Sequence, residues 1–119
     1  MRILLVEDTD ILRQLLGRML KRHGFEVCEA SDGLAALGCL ADFHPELVLT
    51  NMRMPRLDGL GLIRRLRAMP EMDAVPVLAM TAVASFEDEV EARRAGAAEF
   101  LDKPLNSGGT LLDCLDGYR

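Results

Sequence analysis

The chain has 119 residues, half of them hydrophobic, with no Trp and few aromatics. That fits one compact domain, 1–119, around a single core, and is too short for two. A formal charge of -5 disfavours direct nucleic-acid binding, which needs a basic face, and the scarcity of aromatics argues against base stacking. No apolar run approaches the roughly 20 residues that span a bilayer. The start, Met1-Arg2-Ile3-Leu4-Leu5-Val6, turns acidic at Glu7-Asp8, unlike a secretory leader, so the expectation is a cytoplasmic domain with no membrane partner. Cys28, Cys39 and Cys114 are an odd number without CxxC spacing and read as reduced, packed thiols.

Ile3 to Val6 is a short apolar run, a buried strand, and the polar cluster Glu7-Asp8-Thr9-Asp10 starts a helix. Ile11, Leu12, Leu15, Leu16, Met19 and Leu20 recur with the period of one helix face, and Arg13, Arg18, Lys21 and Arg22 lie on the other. Gly24 fits the position after the C-cap. Phe25 to Ala30 is the second strand, and Ser31 can cap a helix carrying Leu34, Ala35, Leu37, Leu40, Ala41 and Phe43, ended by His44-Pro45. Leu47 to Thr50 is a third buried strand. It delivers Asn51 to a loop that closes with Pro55 and Asp58-Gly59.

Leu62, Ile63 and Leu66 mark the third helix, with Arg64, Arg65 and Arg67 on its outer face and Met69-Pro70 as its break. Val75 to Met80 is the fourth strand, ending at Thr81. Ser85 with Asp88 resembles a capping box for a helix through Val90 to Ala95, closed by Gly96. Ala98 to Leu101 is the fifth strand. A last helix around Thr110 to Leu115 is weakened by Gly108-Gly109. Five strands alternating with five helices imply a doubly wound parallel sheet covered on both faces and joined by right-handed crossovers. The length excludes a TIM barrel, and no GxGxxG or GxxxxGK[ST] loop is present.

Polar residues follow the strands: Glu7 and Asp8, Asn51, Thr81 and Lys103, all opening on one edge of such a sheet. Two adjacent carboxylates with a third oxygen nearby suit Mg²⁺. A hydroxyl and an ammonium opposite them suit a phosphoryl group. Taken singly, each residue has a plainer reading: acids at a helix start, a capping threonine, a surface lysine. His23 and His44 sit at helix ends and suggest no catalytic role. Asp58, before a glycine in a turn, reads as backbone geometry rather than as a substitute acceptor.

Leu4-Leu5-Val6-Glu7-Asp8, Met54-Pro55-Arg56-Leu57-Asp58-Gly59, Met80-Thr81-Ala82, Ala95-Gly96-Ala97 and Phe100-Leu101-Asp102-Lys103-Pro104 come in order and at matching spacing. With them the sequence resembles the receiver domain of two-component response regulators over essentially the whole chain. The resemblance implies a flavodoxin-like (βα)5 fold with strand order 2-1-3-4-5. It implies that Glu7 and Asp8 hold Mg²⁺ with the backbone carbonyl of Arg53, and that Thr81 and Lys103 bind phosphoryl oxygens. Phe100 matches the aromatic switch residue, and Lys103-Pro104 a peptide bond often cis in the family. The implied partners are a sensor histidine kinase or phosphotransfer protein, and an effector docking on the fourth helix, fifth strand and fifth helix. A transient homodimer through the fourth-helix face follows by the same analogy. Such a domain is a signalling module rather than an enzyme.

The departure is Asn51, where the family carries the phosphoacceptor aspartate. An amide oxygen is a poor nucleophile and forms no acyl phosphate, so phosphotransfer is expected to fail in this form. Asn51 still offers a carbonyl to a cation, but with one negative charge fewer, so Mg²⁺ should bind more weakly. Relief of one close carboxylate repulsion is worth about 1 kcal/mol. The chain then reads as a phosphorelay receiver with its acceptor replaced, or as a natural pseudo-receiver that works by protein contact alone. A flavin carrier of the same fold is disfavoured, because no aromatics are placed to stack the ring and the first loop lacks a Ser/Thr-rich phosphate cradle.

Overall fold

The computed structural model describes residues 1–82, 85–102 and 109–119. Among them five strands alternate with helices: β1 (Arg2–Val6), α1 (Asp10–Arg22), β2 (Glu26–Ala30), α2 (Gly33–Phe43), β3 (Leu47–Asn51), α3 (Gly59–Arg67), β4 (Val77–Thr81), α4 (Phe86–Ala95), β5 (Glu99–Asp102) and α5 (Gly109–Asp116). All neighbouring strands pair in parallel, in the order β2-β1-β3-β4-β5. The three central strands are almost wholly buried. Helices cover them on both faces, which is why their sequences are near-continuous apolar runs. The edge strands carry the charges, Glu26 and Glu29 on β2 and Glu99 and Asp102 on β5.

Alternation along each strand divides the core in two. Leu4, Val6, Val48, Val77 and Ala79 point to one face, where Ala36 and Leu40 of α2, Leu62, Ile63 and Leu66 of α3, and Ala92 of α4 meet them. Ile3, Leu5, Leu47, Leu49, Leu78 and Met80 point to the other, against Leu16 and Leu20 of α1 and Leu111 and Leu115 of α5. This is the doubly wound arrangement that the alternation of apolar runs implied. No helix among the described residues is long and apolar enough to cross a membrane.

Several local readings change. The apolar stripe of α1 is only partly buried, for Ile11 is 73% and Leu15 56% exposed. The helix approaches β2 through Gly17, where a Cβ would come within 2.5 Å of the Glu29 carboxylate, and positions 11 and 15 lie on its outward side. Arg13 is not on a solvated face: its side chain is 15% exposed, donates to the Glu7 carbonyl at 2.9 Å and pairs with Asp10 at 2.7 Å. The α2 cap is Asp32 rather than Ser31, its carboxylate accepting from Ala35 N at 2.8 Å. A short 3-10 turn, Pro70–Met72, follows α3 where only a break was expected. Ser85 caps α4 as expected, accepting from Asp88 N at 3.0 Å, and Gly24 and Gly96 take the positive φ that ends their helices. All three cysteines are unpaired and half-buried, and burial with the neighbouring Cys39 pushes the Cys28 thiol up to about 11.

Arg67 is the other arginine that leaves the solvated face assigned to it. It donates to the carbonyls of Gly96 (3.2 Å), Met72 (3.0 Å), Asp73 (3.3 Å) and Val75 (2.8 Å), tying the end of α3 to the entries of β4 and β5. One planar guanidinium serves four acceptors, which an ammonium on a flexible stem cannot reproduce. Arg67→Met should therefore cost about 2 kcal/mol in urea unfolding, since it keeps the apolar stem but strands partly buried carbonyls. Arg67→Lys should recover only a minor part of that loss.

Candidate functional site

Register decides which side chains meet. β1 and β3 pair with Val6 opposite Thr50, so Glu7 and Asn51 emerge side by side at the C-terminal edge. β3 and β4 pair with Asn51 opposite Met80, which places Thr81 one step further along the same edge. Glu7 is fully buried, Asn51 is 8% and Thr81 2% exposed, and Asp8 lies at the open rim. Lys103 and Pro104, predicted to complete this edge, lie outside the described residues.

Asn51 stands at the centre of the cluster. Its side-chain nitrogen donates to the Arg53 carbonyl at 2.9 Å, to Asp8 Oδ1 at 3.0 Å and, longer, to Glu7 Oε2 at 3.4 Å. All three neighbours are acceptors, and that fixes which end of the amide faces them. The expected orientation had the amide carbonyl turned toward a cation; here the NH2 group is turned toward those oxygens. Glu7 Oε2 also accepts from Thr9 N at 3.0 Å, so the buried carboxylate is held by amide donors. Thr50 Oγ1 donates to the Asn51 backbone carbonyl at 3.0 Å.

The loop after β3 is braced from beneath. A Cβ on Gly59 would overlap the Asn51 carbonyl oxygen and the Met52 Cα, so only glycine lets α3 begin this close to the strand end. Asp58 caps α3 through Gly61 N at 2.8 Å, in keeping with its reading as a turn residue. Arg56 sits in the left-handed region at φ 67 and reaches Asp32 Oδ2 at 2.8 Å, while Gly33 N donates to Leu57 O at 3.1 Å. Arg53 presents its carbonyl inward and pairs outward with Asp88 of α4 at 2.8 Å. Phe100 is half-buried on β5, opposite Ala79, packed against the core beneath α2, α3 and α4.

The model of the response regulator receiver domain family matches residues 3–114. This chain belongs to that family. The receiver is 40% identical over 105 residues to the regulatory protein AtoC of Escherichia coli K12, covering 88% of this chain and 22% of that protein. It spans less than half the length of the curated relatives it matches. The chemotaxis protein CheY4 of Vibrio cholerae superposes with a TM-score of 0.93 at 29% identity, over 99% of this chain and 98% of that one. The receiver domain of sensor histidine kinase PA1611 from Pseudomonas aeruginosa PAO1, solved with a magnesium ion coordinated in its active site cleft, gives 0.88 at 31% identity, over 98% and 95%.

The structure thus brings Glu7, Asp8, Asn51, the Arg53 carbonyl and Thr81 to one edge of the receiver. Sequence reasoning missed the braces, Asp32 with Arg56, and Arg13 behind Glu7. Asp32 directly before Gly33 was a readable cap signal; the partnership with Arg56 depends on a left-handed residue that no local pattern announces.

The Arg56 guanidinium and the Ala35 amide hold the Asp32 carboxyl below the usual carboxylate range. A depressed folded-state pKa gives stability that is fully present above the unfolded value of about 4 and is lost as pH falls through the folded one. Thermal unfolding of Asp32→Asn should therefore lie below the parent by a constant margin at neutral pH. The two curves should converge in acid, below about pH 4.

Proposed function

We propose that this receiver is the input domain of a phosphorelay in which Asn51 fills the acceptor position, so that this form takes no phosphoryl group. The supporting observation is the placement of Asn51 at the end of β3 within hydrogen-bond reach of Asp8 and the Arg53 carbonyl, with Thr81 on the neighbouring strand. An aspartate there would direct a carboxylate oxygen to the pocket's mouth; an amide cannot form the acyl phosphate. Thr81 and Lys103 are the residues we assign to the phosphoryl oxygens, and Thr81 with Phe100 to the response. The domain would work as a signalling module rather than an enzyme. Its partners would be a sensor histidine kinase or phosphotransfer protein, and an effector or second copy meeting α4, β5 and α5. Phe86, 81% exposed at the start of α4, is the apolar group such a contact would cover.

Glu7, Asp8 and the Arg53 carbonyl are the residues that would hold Mg²⁺, which would supply charge neutralisation for an incoming phosphoryl group. The donor set fits the ion poorly here. The position between these oxygens is filled by an amide nitrogen, and no group of three or more His, Cys, Asp or Glu able to hold a metal occurs among the described residues. Mg²⁺ binding too weak to saturate in a titration is the expected result. The same satisfied amide favours a second reading, a natural pseudo-receiver that signals by contact alone.

Beryllofluoride with Mg²⁺, and an acyl-phosphate donor with detection by intact mass, should be applied to this protein and to Asn51→Asp. Asn51→Asp should respond to beryllofluoride and gain one phosphoryl group, while the parent does neither. An equal response from the parent would overturn the assignment of Asn51. The codon at position 51 of the native gene separates the two readings: Asp supports the silenced receiver, Asn the pseudo-receiver.

A further inference from the structure

We propose that the Asn51 side-chain amide takes the place of the divalent cation in this receiver, so that the acidic pocket is held together without Mg²⁺. This deepens the reading of Asn51 as the acceptor position and rests on it. Alternatively, Asn51 would be one weak ligand among several, with its carbonyl on the ion. The geometry points the other way. Nδ2 lies within reach of all three would-be ligands, at 2.9 Å from the Arg53 carbonyl, 3.0 Å from Asp8 and 3.4 Å from Glu7.

A Mg²⁺ ion bound to the same oxygens would sit about 2.0–2.1 Å from each, in space that the NH2 group now holds. Ion and amide cannot both be there. To admit the ion, Asn51 must give up its hydrogen bonds to two carboxylates and a carbonyl and find other acceptors for two N–H groups, in a position 92% shielded from solvent by its 8% exposure. The amide also answers what a cation answers in such a pocket. It supplies positive partial charge to a fully buried Glu7 carboxylate, together with the Thr9 backbone amide at 3.0 Å. The substitution therefore does two things at once: it removes one negative charge and fills the hole between the remaining two.

The two accounts differ on a variant that supplies fewer ligands. If Asn51 is a weak ligand, Asn51→Ala must bind Mg²⁺ less well than the parent. If the amide stands in for the ion, Asn51→Ala vacates the position and must bind Mg²⁺ better, by about tenfold for the loss of one competing charge-assisted hydrogen bond. Thermal unfolding and titration calorimetry with Mg²⁺, against KCl of matched ionic strength, read this directly. The parent should show no saturable Mg²⁺ stabilisation, Asn51→Ala should gain one, and Asn51→Asp a larger one.

A saturable rise in the parent's Tm, or weaker binding by Asn51→Ala than by the parent, overturns the inference. Should Asn51→Ala not fold, the ¹⁵N side-chain resonance of Asn51 in the parent serves. Paramagnetic Mn²⁺ should leave it no more broadened than amides elsewhere on the surface, and selective broadening overturns the inference. Failure of the underlying reading is distinct. If Asn51→Asp ignores beryllofluoride while Asn51→Ala gains Mg²⁺ affinity, the acceptor assignment falls and the role of the amide stands; the opposite pattern sinks the role of the amide alone.

Discussion

A fully buried carboxylate at the end of the first strand sets the terms for this domain. Glu7 has no exposed surface, and a carboxylate withdrawn from water costs several kcal/mol unless donors or a counter-charge replace its hydration. Asp8 and the inward Arg53 carbonyl add two more acceptors to the same small volume. Parallel pairing of β1 with β3 delivers Asn51 into their midst, and its nitrogen lies within bonding distance of all three. The position is thus one where side-chain chemistry reads out sharply. A donor there makes a satisfied pocket, and an acceptor there makes a pocket that needs a cation.

The surrounding structure holds that volume fixed from several directions. Gly59 lets α3 start against the backbone of Asn51 and Met52, and Gly33 with Asp32 ties the next turn of the loop to α2 through Leu57 and Arg56. Arg13 fastens the Glu7 carbonyl to α1, and Arg53 ties the loop to Asp88 of α4. The left-handed Arg56 carries a strain of about 1 kcal/mol, and its bonds to a nearly buried Asp32 hold it there. Three of these contacts join the loop to α3, α2 and α4, and the fourth joins the neighbouring end of β1 to α1.

Much of this is legible in the sequence, for physical reasons. Central strands covered on both faces must be apolar throughout, so β1, β3 and β4 announce themselves, and strand ends in a parallel sheet must share an edge, so Glu7, Asp8, Asn51 and Thr81 group together from the sequence alone. Periodicity failed where it cannot tell a buried face from a merely apolar one, as with Ile11 and Leu15. Composition failed for Arg13 and Arg67, because arginines on a helix read as solvated until the carbonyls they serve are brought near by folding. The direction in which the Asn51 amide points was likewise beyond the sequence. It follows from the acceptors around it, two of which come from another strand's end and one from the turn of a loop.

On the proposed reading, an amide at this position alters the energetics of switching as well as the chemistry of transfer. A ligand moves a two-state equilibrium only by the difference in its affinity for the two states. Moving a population from about 1:99 to 99:1 needs roughly 5.5 kcal/mol of such difference. A covalent phosphoryl group can supply it by new bonds to a hydroxyl and an ammonium; a neutral amide already satisfied by its neighbours offers no comparable handle. On the proposed reading, any shift in this receiver must be driven from its surfaces, by a partner that prefers one arrangement of α4 and β5. The pocket then acts as a fixed strut, and the binding free energy of that partner takes over the task that phosphorylation performs where an aspartate is present.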